Sequence, residues 1–234
     1  MFFDPTIILV LPALLFALWA QHKVKSAYSQ FSQVGVRSGL TGAKIANLIM
    51  RKEGVPDDVE IEPTPGEMTD HYDPTKRVVR LSEGVYGGRS IAALGIAAHE
   101  VGHAIQHARS YAWLGLRTYL APAAQFGSTL AMPLFFGGLI LGVFAQTPIA
   151  FLIMKIAIWL FGAAVAFTLI TLPVEFDASK RAVHALADGG YLTDDELSGV
   201  KQVLNAAALT YVAAAAMAIS QLLRFIMLAS MMRE

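Results

Sequence analysis

Long stretches without a charged residue constrain this chain more than any other feature of its sequence. No charge occurs from Thr118 to Met154, and a second such stretch runs from Ile156 to Val174. Because about 20 apolar residues suffice for a helix to cross a bilayer, we predict two spans, at residues 125–145 and 149–172, joined by a tight turn at Gln146–Pro148. Only 15% of the residues are charged, whereas soluble domains average about 25%.

Two further apolar segments are predicted to lie in the membrane, one at each end of the chain. The first covers residues 1–21. A span is favoured over a cleaved signal peptide, because Asp4 stands where such a peptide carries a positive charge and the residues after Gln21 form a poor cleavage site. The last segment, residues 202–234, either crosses the membrane or packs as a buried helix among the other spans.

Basic residues predict how the spans are oriented. Of the 18 Lys and Arg residues, 15 lie in the two loops at residues 22–117 and 175–202. Loops rich in Lys and Arg stay in the cytoplasm, so we expect a multi-pass protein of the cell membrane, surrounded by lipid, with both loops on the cytoplasmic side. The 18 acidic residues cancel the basic ones, which argues against nucleic acid as a partner.

The first loop carries the signals of a small domain that mixes helices and strands. Thr41–Gly54 is typical of a short amphipathic helix. The segments Val59–Glu62 and Arg77–Leu81 are typical of strands. Ser90 is a candidate cap for a helix that begins at Ile91.

That last helix contains the sequence His-Glu-Val-Gly-His at residues 99–103. Residues four apart share a helix face, so His99 and His103 can point at one zinc ion, and Glu100 can act as a base on water. A random chain of this composition would contain the motif about 0.006 times. Catalytic zinc takes three protein ligands, and His107 cannot be the third, because it lies about 12 Å from His99 along the helix axis.

The third ligand must therefore come from a distant part of the chain. Glu175 is the best candidate, because it follows the third predicted span and so returns to the same membrane face as His103. A carboxylate at the end of a membrane helix is either a ligand or a solvated boundary charge, and spacing alone leaves both interpretations open.

Four segments together resemble the YugP-like neutral zinc metallopeptidases of bacteria, and the resemblance extends over nearly the whole chain. The segments are Asp70–Asp73, Val79–Ser82, Ala97–Gln106 and Pro173–Ser179. The resemblance implies a mostly α membrane protein with a small α+β, zincin-like catalytic domain at the membrane surface. It also implies a gluzincin, in which His99, His103 and Glu175 bind Zn²⁺. The more remotely similar HtpX-like proteases carry an Asp four residues after the ligand Glu, whereas this chain has Ser179 there and Asp177 as the nearest acid.

The expected organisation has five parts. These are a first span at 1–21, a catalytic region at 22–124, two spans at 125–174, a helical third-ligand region at 175–201 and a fourth helix at 202–234. The expected activity is hydrolysis of peptides or membrane proteins, with Glu100 as general base. The strand at Val78–Leu81 is expected to pair with extended substrate. Candidates for stabilising the oxyanion or orienting the ligands are His71, Tyr72, Asp177, Arg181, His184 and Tyr211.

Two other classes of function compete with a peptidase. The first is a catalytically silent membrane adaptor on a protease scaffold. The intact zinc motif and Glu175 argue against it, because an adaptor does not need the complete set of these residues. A metal transporter needs polar groups near the middle of its spans, and the two central spans are poor in them, with Thr168 and the interfacial Lys155 as the clear polar members. The oligomeric state stays open at this stage.

Overall fold

Helices form most of the computed structural model, which describes residues 5–145 and 147–231. Asp4, Gln146 of the predicted turn and residues 232–234 of the fourth segment lie outside the described residues. A 3-10 turn at Pro5–Leu9 precedes the regular elements. In chain order these are α1 (Leu11–Ser32), α2 (Gly42–Glu53), β1 (Glu60–Thr64), β2 (His71–Asp73), β3 (Val78–Ser82), α3 (Glu83–Tyr86), α4 (Ile91–Ala108), α5 (Ala112–Ala145), α6 (Pro148–Asp188) and α7 (Asp194–Met231). The structure thus confirms a mostly α fold with a small mixed sheet.

The chain divides into two compact units. The first, called here the apolar unit, consists of Met1–Trp19, Leu116–Leu172 and Tyr211–Glu234. The second, called the sheet unit, consists of Ala20–Gly115 and Pro173–Thr210. The long helices α1, α5, α6 and α7 each contribute residues to both units.

The apolar unit contains helices that are long and apolar enough to cross a membrane. Among the described residues, α5, α6 and α7 meet that condition. Their core contains Phe135 and Phe225, whose rings stack with centroids 4.1 Å apart, together with Met154 and Ala157. From Pro5 onward, the span predicted at residues 1–21 contains the 3-10 turn and the first half of α1; residues 1–4 lie outside the described residues, and the span stays a prediction.

The helices extend beyond the predicted spans. α5 begins at Ala112 and α6 continues past Leu172 to Asp188. Pro173 lacks the N–H that would continue the helical bonding, yet α6 runs on through it. In the sheet unit, the part of α6 after Pro173 packs against α4, and this packing favours a continuous helix over a break.

Three strands form the sheet of the sheet unit, in the order β1-β3-β2. β1 is parallel to β3, whereas β2 is antiparallel to it, with Tyr72 opposite Val79. β3 is therefore the central strand, and both of its edges are already paired. The prediction that Val78–Leu81 pairs with substrate is wrong for this reason, because only an edge strand has free backbone groups.

Local signals in the sheet unit were predicted correctly. The Thr41 side chain accepts a hydrogen bond at the start of α2, and Gly54 ends that helix with a left-handed φ of 67°. The Ser90 hydroxyl accepts a hydrogen bond from the backbone N–H of Ala93 and so caps α4. α4 then runs through the main core, which also contains Val79 and Leu81 of β3.

Candidate active site

The two histidines of the zinc motif lie side by side on α4. Their ring centroids are 4.9 Å apart, with the rings nearly perpendicular. His103 is buried and His99 is mostly buried. Alanines around the motif keep this helix regular, so the four-residue spacing places both imidazoles on one face.

Gly102, on the same helix face, allows α6 to approach α4 closely. A Cβ atom at Gly102 would lie only 2.5 Å from the backbone oxygen of Ala178, which is far inside van der Waals contact. Ala178 lies three residues after Glu175, so this close approach brings the Glu175 carboxylate to the histidines.

The three predicted ligands meet at one point inside the sheet unit. Glu175 Oε2 lies 3.3 Å from His99 Nε2 and 3.6 Å from His103 Nε2. The Glu175 side chain is only 3% exposed, so its carboxylate is not a solvated boundary charge. Together the three side chains form a group that could hold a metal ion.

Glu100 lies in the same buried region. Burial raises the pKa of Glu100 to about 7, and the nearby negative charges of Glu175 and Asp70 act in the same direction. His99 and the backbone N–H of Tyr72, which hydrogen-bonds the carboxylate, lower this pKa in part. A carboxyl group in such surroundings can exchange a proton near neutral pH.

Comparison with known proteins identifies the family. Residues 6–230 match the family described as "putative neutral zinc metallopeptidase". This chain belongs to the neutral zinc metallopeptidases. It is also similar to the "putative membrane protease YugP" of Bacillus subtilis (strain 168), with 50% identity over 222 residues. The aligned region covers 95% of this chain and 95% of that relative. No solved structure gives a significant match.

Zinc, the metal of this metallopeptidase family, fits the geometry of the three side chains. Ligand atoms placed about 2.0–2.1 Å from a tetrahedral zinc ion lie about 3.3–3.4 Å from one another. The separations of 3.3 and 3.6 Å between Glu175 Oε2 and the two Nε2 atoms are close to that value. Two imidazoles and one carboxylate are also a known donor set of catalytic zinc, which keeps a fourth position open.

Hydrogen bonds hold the two candidate ligand histidines through their Nδ1 atoms. His99 Nδ1 lies 3.2 Å from Ser179 Oγ. His103 Nδ1 lies 3.1 Å from Gln106 Oε1. Asp177 Oδ2 accepts a hydrogen bond from Gln106 Nε2 at 2.8 Å, so it is linked to His103 through this amide. Gln106 was not predicted, although its spacing of three and seven residues from the two histidines places it on their helix face.

The other candidate residues differ in where they lie. Tyr72 on β2 and Arg181 on α6 belong to the sheet unit, and both are engaged: Tyr72 Oη bonds His107 Nδ1 at 2.7 Å, and Arg181 Nε donates to Asp177 at 2.5 Å. His71 is exposed and contacts Thr69 and Arg80. His184 is exposed, and nine residues place it on the helix face opposite Glu175. Tyr211 belongs to the apolar unit, whereas the three candidate ligands belong to the sheet unit.

The close approach at Gly102 gives a prediction for stability. Gly102→Ala should destabilise the protein by about 1–3 kcal/mol, because an added methyl group in a packed region forces the backbone apart. Gly115→Ala is the matched control, since a Cβ there meets nothing within 4 Å and alanine favours helix by up to about 1 kcal/mol. Thermal unfolding of the two detergent-purified variants measures the difference. Equal midpoints would show that α4 and α6 do not depend on this contact.

Proposed function

We propose that this chain is a membrane-embedded zinc endopeptidase, with His99, His103 and Glu175 as the metal ligands and Glu100 as the general base. The observation that supports it most strongly is the convergence of two Nε2 atoms and one carboxylate oxygen in a buried site. Membership of a metallopeptidase family gives the same reaction class. Cleavage of an unfolded membrane protein by the purified chain, measured together with its zinc content, tests the proposal.

The residues of the site divide the chemistry between them. Bound at His99, His103 and Glu175, zinc supplies Lewis-acid chemistry that polarises a peptide carbonyl and makes water a stronger acid. Glu100 takes a proton from the attacking water and transfers it to the nitrogen of the leaving amine. Ser179 and Gln106 hold the imidazoles in place, so that the site needs little reorganisation during the reaction.

β2 is the strand that we propose for binding extended substrate. It is an edge strand, and its Tyr72 N–H faces the Glu100 carboxylate. The hydrogen bond between Tyr72 Oη and His107 ties the strand to α4. A peptide that adds along the outer edge of β2 would therefore replace the Glu100 carboxylate as the acceptor of the Tyr72 N–H, and such pairing suits a substrate that is locally unfolded.

The position of the site along the chain supports substrates near a membrane. The apolar stretch of α6 ends at Leu172, and only two residues separate Leu172 from Glu175. The concentration of Lys and Arg in the two polar loops favours a cytoplasmic site. The proposed substrates are therefore cytoplasmic peptides or cytoplasmic segments of membrane proteins.

A backbone substitution in β2 tests the role of this strand. Tyr72→Pro removes the N–H that faces Glu100, and proline is tolerated in edge strands. We expect kcat/KM for casein to fall about tenfold, because losing the hydrogen bond from the Tyr72 N–H to substrate costs about 1.4 kcal/mol. The zinc content should stay unchanged. Tyr72→Phe keeps the backbone donor and should lose less activity. Equal losses in both variants would indicate that the phenol matters and the strand edge does not.

A further inference from the structure

Gln106 is a completely buried side chain at the point where α4 meets α6. Its Nε2 atom lies 2.8 Å from the backbone oxygen of Val174 and 2.8 Å from Asp177 Oδ2. Arg181 Nε donates to the same Asp177 oxygen, so Asp177 faces the amide as an acceptor. A side-chain amide has two N–H donors, and both are used by these two acceptors.

The acceptors fix which way the amide points. Because the NH₂ group must face Val174 and Asp177, the Oε1 atom must face His103 Nδ1, which lies 3.1 Å away. An amide oxygen only accepts hydrogen bonds, so Nδ1 must carry the hydrogen. The lone pair of a neutral His103 then lies on Nε2, the atom directed at Glu175. That tautomer is the one in which Nε2 can bind a metal.

The Gln106 amide also positions the third proposed ligand, Glu175. Val174 immediately precedes Glu175, so the bond from Gln106 to its carbonyl oxygen fixes the backbone next to the third ligand. Ser179 is less restrictive towards His99, because a hydroxyl can either donate or accept. We infer that Gln106 is a positioning residue that sets the tautomer of His103 and holds Glu175 in register with it. This inference rests on the proposed zinc site.

Zinc affinity provides the first test. Gln106→Met keeps most of the volume and removes the amide, and it should weaken zinc binding by about 10- to 100-fold, as is typical when the partner of a ligand histidine is lost. Gln221→Met is the matched control, because Gln221 is a glutamine with 9% exposure in the apolar unit; it should bind zinc like wild type. Competition with a chelator on the detergent-purified full chain measures both. Equal zinc affinity in wild type and Gln106→Met would overturn the inference.

The tautomer of His103 provides a second test that needs neither zinc nor a folded variant. In metal-free wild type, nitrogen NMR of the labelled imidazole should show hydrogen on Nδ1. An imidazole with hydrogen on Nε2 and none on Nδ1 would overturn the inference. Failure of the proposed peptidase is distinguishable, since it would appear as a wild-type chain that binds zinc and cleaves nothing, and both of these tests would still apply to Gln106.

Discussion

Glu100→Gln should remove nearly all peptide cleavage while the protein still binds zinc. The amide has almost the size of the carboxylate but cannot take a proton from water, and loss of a general base typically costs about 10²- to 10⁴-fold in rate. The three proposed ligands are untouched by the substitution. Initial rates with an unfolded membrane-protein substrate measure the effect.

A matched control separates loss of the base from a general effect of the substitution. Glu60 is exposed on β1, at the opposite edge of the sheet from β2, and Glu60→Gln makes the same chemical change there. It should cleave at the wild-type rate. Cleavage at the wild-type rate by Glu100→Gln would contradict the proposed role of Glu100. Loss of cleavage in both variants would indicate a non-specific cause.

His103→Ala should release the metal. Catalytic zinc has three protein ligands, and this variant leaves only His99 and Glu175, with Gln106 Oε1 no longer paired to its imidazole. Elemental analysis of the purified protein should show zinc close to the background level, and cleavage should disappear with it.

His184→Ala is the matched histidine control for that experiment. His184 is exposed and lies on α6 half a turn out of phase with Glu175, so its removal should leave zinc content unchanged. Undiminished zinc in His103→Ala would refute the ligand assignment. Equal loss of zinc in both variants would indicate that histidines outside the site hold the metal.

The meeting of His99, His103 and Glu175 was predictable from the sequence because it follows from simple spacing. A four-residue interval places two histidines on one helix face, and apolar runs predict where the chain returns after two spans. The helix starts at Ser90 and Thr41 were predictable for a similar reason, since each hydroxyl satisfies an N–H of its own helix. These signals are local, and tertiary packing did not override them.

The arrangement of the sheet could not be predicted in the same way. β2 has three residues, too few for an alternating pattern, and Asp73 and Pro74 at its end are typical of a turn. Strand order depends on which strands pair, and the hydrophobic pattern of β3 does not distinguish a central strand from an edge strand. Only the observed pairing shows that the edge strand beside Glu100 is β2 and that β3 is central.

Gln106 and Ser179 illustrate a different limit of local patterns. Each is a common polar residue on a helix, and only the contact of α4 with α6 pairs Gln106 with Val174 and Ser179 with His99. Gly102 makes this contact close. In a sequence it is one more small residue within the zinc motif, and its role emerges only when Ala178 is placed opposite.

Zinc content and cleavage, measured on the same preparations of wild type and Glu100→Gln, test the central claim most directly. A membrane zinc peptidase with Glu100 as base predicts about one zinc per chain in both proteins, as one catalytic site requires, and cleavage by wild type alone. Zinc in both without cleavage by either would contradict the account and favour a catalytically silent membrane protein.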